Sequence, residues 1–266
     1  MFSFSFSKPP LTSLTTPACL QGVSGTGKST LGSALAQALR MPYVEGDDLH
    51  PRANVAKMAA GIPLDDADRE PWLELVRATA EGKVVELQAE VEGKEGEGEG
   101  KARRKCYGVV ISCSALKAYY RDILRGKLKP ASSTAPLPLP HPAAGPAASA
   151  GAGSRESTEA QAPHPNTIPA HLAPAHPAHL PTYFVFISGA RAVLLDRMEK
   201  RPGHFMKATM LDSQLRTLED PTGEEGVVVV SLDVSTEEQV RCALEGLGQV
   251  AGEGFREHVR ELDALN

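Results

Sequence analysis

The sequence predicts an α/β fold in three layers, a parallel sheet covered by helices on both faces, with two disordered insertions interrupting it. Three observations predict it. Short apolar runs of strand length alternate with helical patterns along the chain, as in strand–helix–strand crossovers. A glycine-rich loop, "GVSGTGKST" at residues 22 to 30, stands between a strand candidate and the first helix. Two stretches, residues 88–105 and 130–181, carry too little apolar content or too much proline to belong to any core.

Taken in order, residues 1–17 are Ser/Thr-rich, and no Asp or Glu occurs before Glu45. They read either as an organelle (chloroplast) transit segment or as the ragged start of a cytoplasmic protein. The loop needs a strand in front of it, and "LTTPACLQ" is a poor one: Pro17 cannot donate to a central ladder and Gln21 is polar where an apolar side chain would pack. Three readings stay open: the strand begins only at Ala18, the first residues are misassigned, or this edge is destabilised. Behind the loop, Leu31, Leu35, Ala38 and Leu39 share one helical face. "MPYVEG" is a short strand. Asp65, Asp66 or Asp68 can cap the next helix, with Pro71 in its first turn and "WLELVRATA" continuing it.

Residues 88–105 turn from acidic and Gly-rich to basic, a solvated loop. The continuous apolar run Tyr107 to Cys113 suits a strand buried on both faces. "ALKAYYRDILR" follows as a helix with Leu116, Tyr119, Tyr120, Ile123 and Leu124 inward. Residues 130–181 hold more than half of the chain's 21 prolines and no aromatic residue, so disorder is expected there. Such insertions sit in surface loops at small cost, because loop-closure entropy grows slowly with length. "TYFVFIS" (strand), "ARAVLLDRMEKR" and "FMKATMLDSQLRTLED" (helices), "VVVVSLD" (strand) and "TEEQVRCALEGL" (helix) complete one domain over 18–250. Residues 251–266 are left as a C-terminal tail.

Composition narrows the function. The 266 residues carry 28 Lys+Arg against 33 Asp+Glu, a net charge of -5, which argues against a DNA or RNA partner. No apolar run approaches the ~20 residues that cross a bilayer, so no membrane partner is expected. Cys19, Cys106, Cys113 and Cys242 lie far apart without a C-x-x-C pair and read as free thiols. Cys113 ends a strand and suits packing better than nucleophilic attack, and Trp72 suits packing of its helix on the sheet. His141, His164, His171, His176 and His179 all lie in the Pro/Ala-rich segment, where nothing presets metal ligands.

The loop carries the first chemistry. Gly22, Gly27, Lys28 and Ser29 fit G-x-x-x-x-G-K-[ST], in which the backbone wraps an anion and the helix adds its positive dipole end. Residues Gly22, Val23, Ser24, Gly25, Thr26, Gly27, Lys28, Ser29 and Thr30 therefore form a nucleotide phosphate site. Lys28 serves the β and γ phosphates, and Ser29 takes one position on a Mg²⁺ ion. Motif and alternation together define a P-loop nucleoside-triphosphate hydrolase fold, which serves kinases, ATPases and GTPases alike.

The acceptor is read from "EGDDLHPRANVAKMAAGIPLDDADREPWL", Glu45 to Leu73. Right after a strand, at the sheet edge where ligands bind, come Asp47, His50, Arg52 and Lys57. A carboxylate there takes the proton of an attacking hydroxyl or holds waters around Mg²⁺, and cations clamp an anionic acceptor. A polar loop leading into a surface helix explains the same composition about equally well.

These two blocks, with "ISCSALKAYYRDILR" and "RPGHFMKATMLDSQLRTLEDP", resemble the gluconokinase family of small P-loop sugar-acid kinases, whose fold is similar to those of shikimate and adenylate kinases. The resemblance implies ATP- and Mg²⁺-dependent phosphorylation of D-gluconate at its 6-hydroxyl. The product, 6-phosphogluconate, feeds the pentose phosphate pathway. It also implies a homodimer, common among family members. Glu45 stands where an Asp commonly precedes the Gly-Asp pair, while Asp47 is kept. The resemblance makes Lys28, Asp47 and Arg201 the catalytic candidates, and adds Lys117, Arg121 and His204 to Asp47, His50, Arg52 and Lys57 as acceptor candidates. Arg197, one helical turn before Arg201, joins the ATP site where related kinases carry a lid. A kinase of another small anionic acceptor such as shikimate, and a nucleotide-binding protein without catalysis, are the alternatives.

Overall fold

The structure, a computed structural model, describes residues 13–15, 18–92, 105–130, 172–174, 180–200 and 208–265. In chain order, β1 (Ser13–Thr15), β2 (Ala18–Gln21), α1 (Lys28–Leu39) and β3 (Tyr43–Glu45) are followed by a 3₁₀ turn at Gly46–Leu49, α2 (Arg52–Ala59) and α3 (Asp66–Glu92). Then come β4 (Lys105–Tyr107), β5 (Val110–Cys113), α4 (Ala118–Leu124), β6 (Leu128–Pro130) and β7 (Leu172–Pro174). The chain continues through β8 (Tyr183–Ser188), α5 (Arg191–Lys200), α6 (Ala208–Thr217), β9 (Val227–Ser231), α7 (Thr236–Ala251) and α8 (Glu253–Asp263).

Five strands make one parallel sheet in the order β3-β5-β2-β8-β9. β2, the doubtful strand of the sequence, is its centre, paired over all four residues with β5 on one side and β8 on the other. The strand begins at Ala18; Pro17 lies outside the described residues. Gln21 is fully buried, and its Nε2 donates to the Ala115 carbonyl at 2.8 Å, so the polar side chain pins the segment after β5. Because chain order departs to both sides of β2, the crevice at the carboxyl ends of β2, β3 and β5 is the topological switch point where such sheets bind ligands.

The core is continuous across the sheet. Leu31, Leu35 and Leu39 recur every fourth residue on α1 and are at most 1% exposed, each burial stabilising by about 1.5–3 kcal/mol. Ala36 joins them, whereas Ala38, expected inward, is exposed. Val110 and Ile111 of β5, Phe184 and Val185 of β8, and Ala243 and Leu247 of α7 complete that core. The run expected from Tyr107 to Cys113 as one strand splits: Lys105–Tyr107 pairs with β1, and Val110–Cys113 joins the main sheet.

Three further boundaries differ from the sequence reading. α3 begins at Asp66 and runs to Glu92, through the first residues of the segment expected to be loop; residues 93–104 lie outside the described part. Its start is a reciprocal cap, Asp68 N–H to Asp65 Oδ1 at 2.9 Å and Asp65 N–H to Asp68 Oδ2 at 3.0 Å. Pro71 therefore falls inside the helix, beyond its first turn. Within the Pro/Ala-rich segment only Leu172–Pro174 and the residues from 180 onward are described, and the first of these pairs antiparallel with β6; the disorder expected over the rest falls outside the described residues. The supposed tail is α8, whose Phe255 is 1% exposed and joins the core, so the packed domain extends past residue 250. Among the described residues no helix is long and apolar enough to cross a membrane.

Candidate active site

The glycine-rich loop turns from β2 into α1 through Gly27 at φ 87°, a left-handed conformation that glycine adopts without strain. Gly27 offers no side chain, so the first turn of α1 has no side-chain cap and its N–H groups are available to an anion. The loop is braced internally, Thr26 Oγ1 donating to the Val23 carbonyl at 2.9 Å and Lys28 Nζ to the same carbonyl at 3.1 Å. Helix α5 packs on it so closely that a Cβ on Gly25 would meet Met198 Cγ at 2.9 Å. On that helix Arg197 donates to the Leu232 carbonyl at 3.0 Å, just past β9.

The acceptor side begins at Gly46. A Cβ there would stand 2.0 Å from the Ser112 carbonyl oxygen, so only glycine lets the chain pass β5 this closely. Trp72 Nε1 donates to the Gly46 carbonyl at 2.8 Å, and the Trp72 ring stacks on His50 with centroids 4.0 Å apart. Trp72 thus does more than pack a helix: it fixes the turn that carries Asp47. One cleft is lined by Ser24 and Lys28 from the loop, Asp47 and His50 from the turn, Met58, Leu64, Arg69, Ser114, and Met210 and Gln214 of α6. Donor-side and acceptor-side groups therefore share one space.

Electrostatics gives these groups distinct roles. The Asp47 side chain is 65% exposed yet sits among protein groups in the cleft. Desolvation raises its pKa above the ordinary carboxylate value, with the Lys28 charge opposing and the Glu45 charge adding to the rise. Its neighbour Glu45 goes the other way. Burial works against its charge, but hydrogen bonds from Ser112, Ser29 and Tyr43 outweigh burial and hold it below the ordinary value. Tyr43 OH is 2.7 Å from Glu45 Oε2, and Ser112 Oγ donates to Oε1. Burial, aided by the Arg69 charge, drives His50 down to about 4, so it is neutral near pH 7. His50 cannot clamp an anion as a cation, the role expected from sequence, but it can hydrogen-bond.

The other expected cations separate sharply. Arg121 is fully buried; it makes a two-pronged pair with Glu224 and donates to the carbonyls of Ala115 and Leu116, at 3.1 and 3.4 Å. It holds the chain and is closed to an acceptor, a correction to the sequence reading. Lys117 Nζ binds both oxygens of Asp66, at 2.9 and 2.8 Å. Lys57 Nζ binds both oxygens of Asp68, at 2.6 and 2.7 Å, tying α2 to α3. Arg52 is exposed at the start of α2 and does not line the cleft. Arg201 and His204 lie outside the described residues. The sequence reading missed Arg69, 8% exposed in the cleft, because in "DDADREPW" it looks like one more charge on a helix surface. It also missed Ser114 and Gln214.

The oxygen donors suit a hard cation. Ser29 and Glu45 lie within one hydrogen-bonded group and could hold Mg²⁺, with Asp47 two residues further along the same turn.

Known proteins resemble this chain over most of its length. Residues 24–84 match the family model described as shikimate kinase. The gluconokinase of Gluconobacter oxydans is 35% identical over 84% of this chain and 88% of its own length. The thermoresistant gluconokinase of Escherichia coli is 30% identical over 85% and 90%. Among solved structures, a gluconokinase from Sinorhizobium meliloti aligns with a TM-score of 0.56 at 33% identity, covering 89% of this chain and 93% of that one.

Proposed function

Because the chain belongs to the gluconokinase family, we propose that it transfers the γ-phosphoryl group of ATP to the 6-hydroxyl of D-gluconate, giving 6-phospho-D-gluconate and ADP. The observation that carries the choice of acceptor is Arg69. Its side chain is buried at the cleft, hydrogen-bonded to the Tyr120 hydroxyl and 6.0 Å from the Tyr120 ring, and makes no ion pair among the described residues. A buried cation without a counter-charge is costly. An acceptor carboxylate removes that cost, and gluconate brings one, together with a run of hydroxyls for Asp47, Ser114 and the neutral His50.

Bound ATP with Mg²⁺ supplies the phosphoryl group and neutralises the charge that develops as it moves. The chain's residues do the rest. The loop N–H groups and Lys28 hold the phosphates, and Ser29 and Glu45 hold the cation. Asp47 orients the 6-hydroxyl and accepts its proton as the new O–P bond forms and the bond to the ADP oxygen breaks. A carboxylate raised toward the working pH is a better base than an ordinary one. Arg197 is proposed for the ATP side, and Arg201 and His204, argued from sequence alone, for the transferred group and the acceptor.

The test is ADP release by the purified protein with ATP, Mg²⁺ and, in turn, D-gluconate, shikimate and other sugar acids. Gluconate is expected to be the best acceptor. Turnover with shikimate or another acid and none with gluconate refutes the acceptor, and ATP binding without turnover of any acid refutes catalysis.

A further inference from the structure

Gln214 stands in the cleft in a position that neither charge neutralisation nor core packing explains. The Ser24 N–H donates to its Oε1 at 2.7 Å. A backbone N–H can only donate, so the amide oxygen is committed to the phosphate loop and the two Nε2 donors are what the side chain offers to the rest of the cleft. The helix that carries it is well anchored. Leu211 is fully buried and Met210 7% exposed. Just past the end of α6 the Glu219 N–H donates to the Leu116 carbonyl at 2.8 Å, while its carboxylate accepts from the Ala118 N–H at 2.6 Å. Those contacts join α6 to the segment that brings Ser114 to the same cleft. The amide is also the side chain this position needs: a carboxylate would repel the phosphoryl group, and an ammonium or guanidinium could not accept from Ser24.

We propose that Gln214 determines acceptor specificity by tying the acceptor to the phosphate loop, its Oε1 on the Ser24 N–H and its Nε2 on one hydroxyl of a polyhydroxy acid. The hydroxyl chain is thereby kept in register with the group being transferred. This rests on the gluconate reading above. It also sets a chemical class: acids bearing a hydroxyl at that one position are preferred to analogues lacking it by roughly 3- to 10-fold in KM.

The experiment compares wild type, Gln214→Met and Gln214→Glu in the full chain, with D-gluconate and with gluconates lacking one hydroxyl between C2 and C5. Losing one uncharged hydrogen bond predicts a gluconate KM raised roughly 3- to 10-fold in Gln214→Met, with the ATP KM changed about twofold or less. One deoxygluconate is expected to be no worse for Gln214→Met than gluconate is, because the partner is already gone. Gln214→Glu keeps an oxygen for Ser24, so its Tm stays at the wild-type value while its gluconate kcat/KM falls. Equal rises in both KM values, or the same penalty in wild type and Gln214→Met for every deoxy analogue, overturn the proposal and leave Gln214 as a brace for the loop. A wild-type enzyme that turns over no gluconate refutes the function itself, and this proposal with it.

Discussion

Replacing Arg121 with Met separates its two roles, ligand group or structural tie. The guanidinium is fully buried, makes two bonds to Glu224 and donates to two backbone carbonyls. Removing one partner of such a pair costs about 3 to 5 kcal/mol, chiefly because the other is left without compensation. Glu224 keeps 27% side-chain exposure and a second cation, Arg125, at 3.4 Å, which places the loss near about 3 kcal/mol. Against a total stability of about 5 to 15 kcal/mol, that is a large fraction. In urea, with a slope of about 3 kcal/mol per molar, the unfolding midpoint should fall by about 1 M at unchanged slope. Kinetics of the folded fraction give the second readout, and the gluconate KM should stay within about threefold, since no atom of Arg121 reaches the cleft. An Arg121→Met protein with the wild-type midpoint and a gluconate KM raised about a hundredfold would refute the structural assignment and restore Arg121 to the acceptor site.

Other outcomes follow from the same geometry. Asp47→Asn should lower kcat by about 10² to 10⁴ with little change in Tm, the side chain being mostly exposed; wild-type kcat/KM should fall on the acid side with an apparent pKa above the ordinary carboxylate value, and an unshifted acid limb would remove Asp47 as the base. Arg69→Met should raise the gluconate KM much more than the ATP KM, and a matched rise in both would count against the carboxylate clamp. His50 titrates near 4 in the folded chain and near 6.5 when unfolded, so the unfolded state binds more protons between those values. Stability should therefore fall as pH drops from about 6.5 to 4, by at most about 3 kcal/mol, and His50→Phe, which keeps a ring against Trp72, should flatten that slope in denaturant titrations.

Much of the molecule was legible before any fold was known, because its signals are local. A glycine-rich loop leading into a helix, a four-residue leucine repeat on α1 and a carboxylate just past a strand are signalled by local motif and periodicity. Asp65 and Asp68, near in sequence, capped their helix as composition suggests. Gln21 and Pro17 were misleading for the same reason. Judged locally they spoil a strand, yet β2 is the centre of the sheet, since the Gln21 amide finds a carbonyl 94 residues away.

Charge placement was the other part, and it was not local. Sequence spacing shows which side chains share a helix face but not which neighbour that face meets. Arg121 and Arg69 both look like helix-surface cations in the sequence, and only tertiary packing closes one in an ion pair with Glu224, in the turn before β9, and turns the other to the cleft. His50 likewise loses its charge through burial against Trp72 and nearness to Arg69, which no spacing reports. The sequence by itself determined the phosphate-loop motif, the sheet that mounts it and the family. The tertiary structure decided which of the cations faces the cleft and which are held in ion pairs, because desolvation and counter-charge belong to neighbours brought together only by folding.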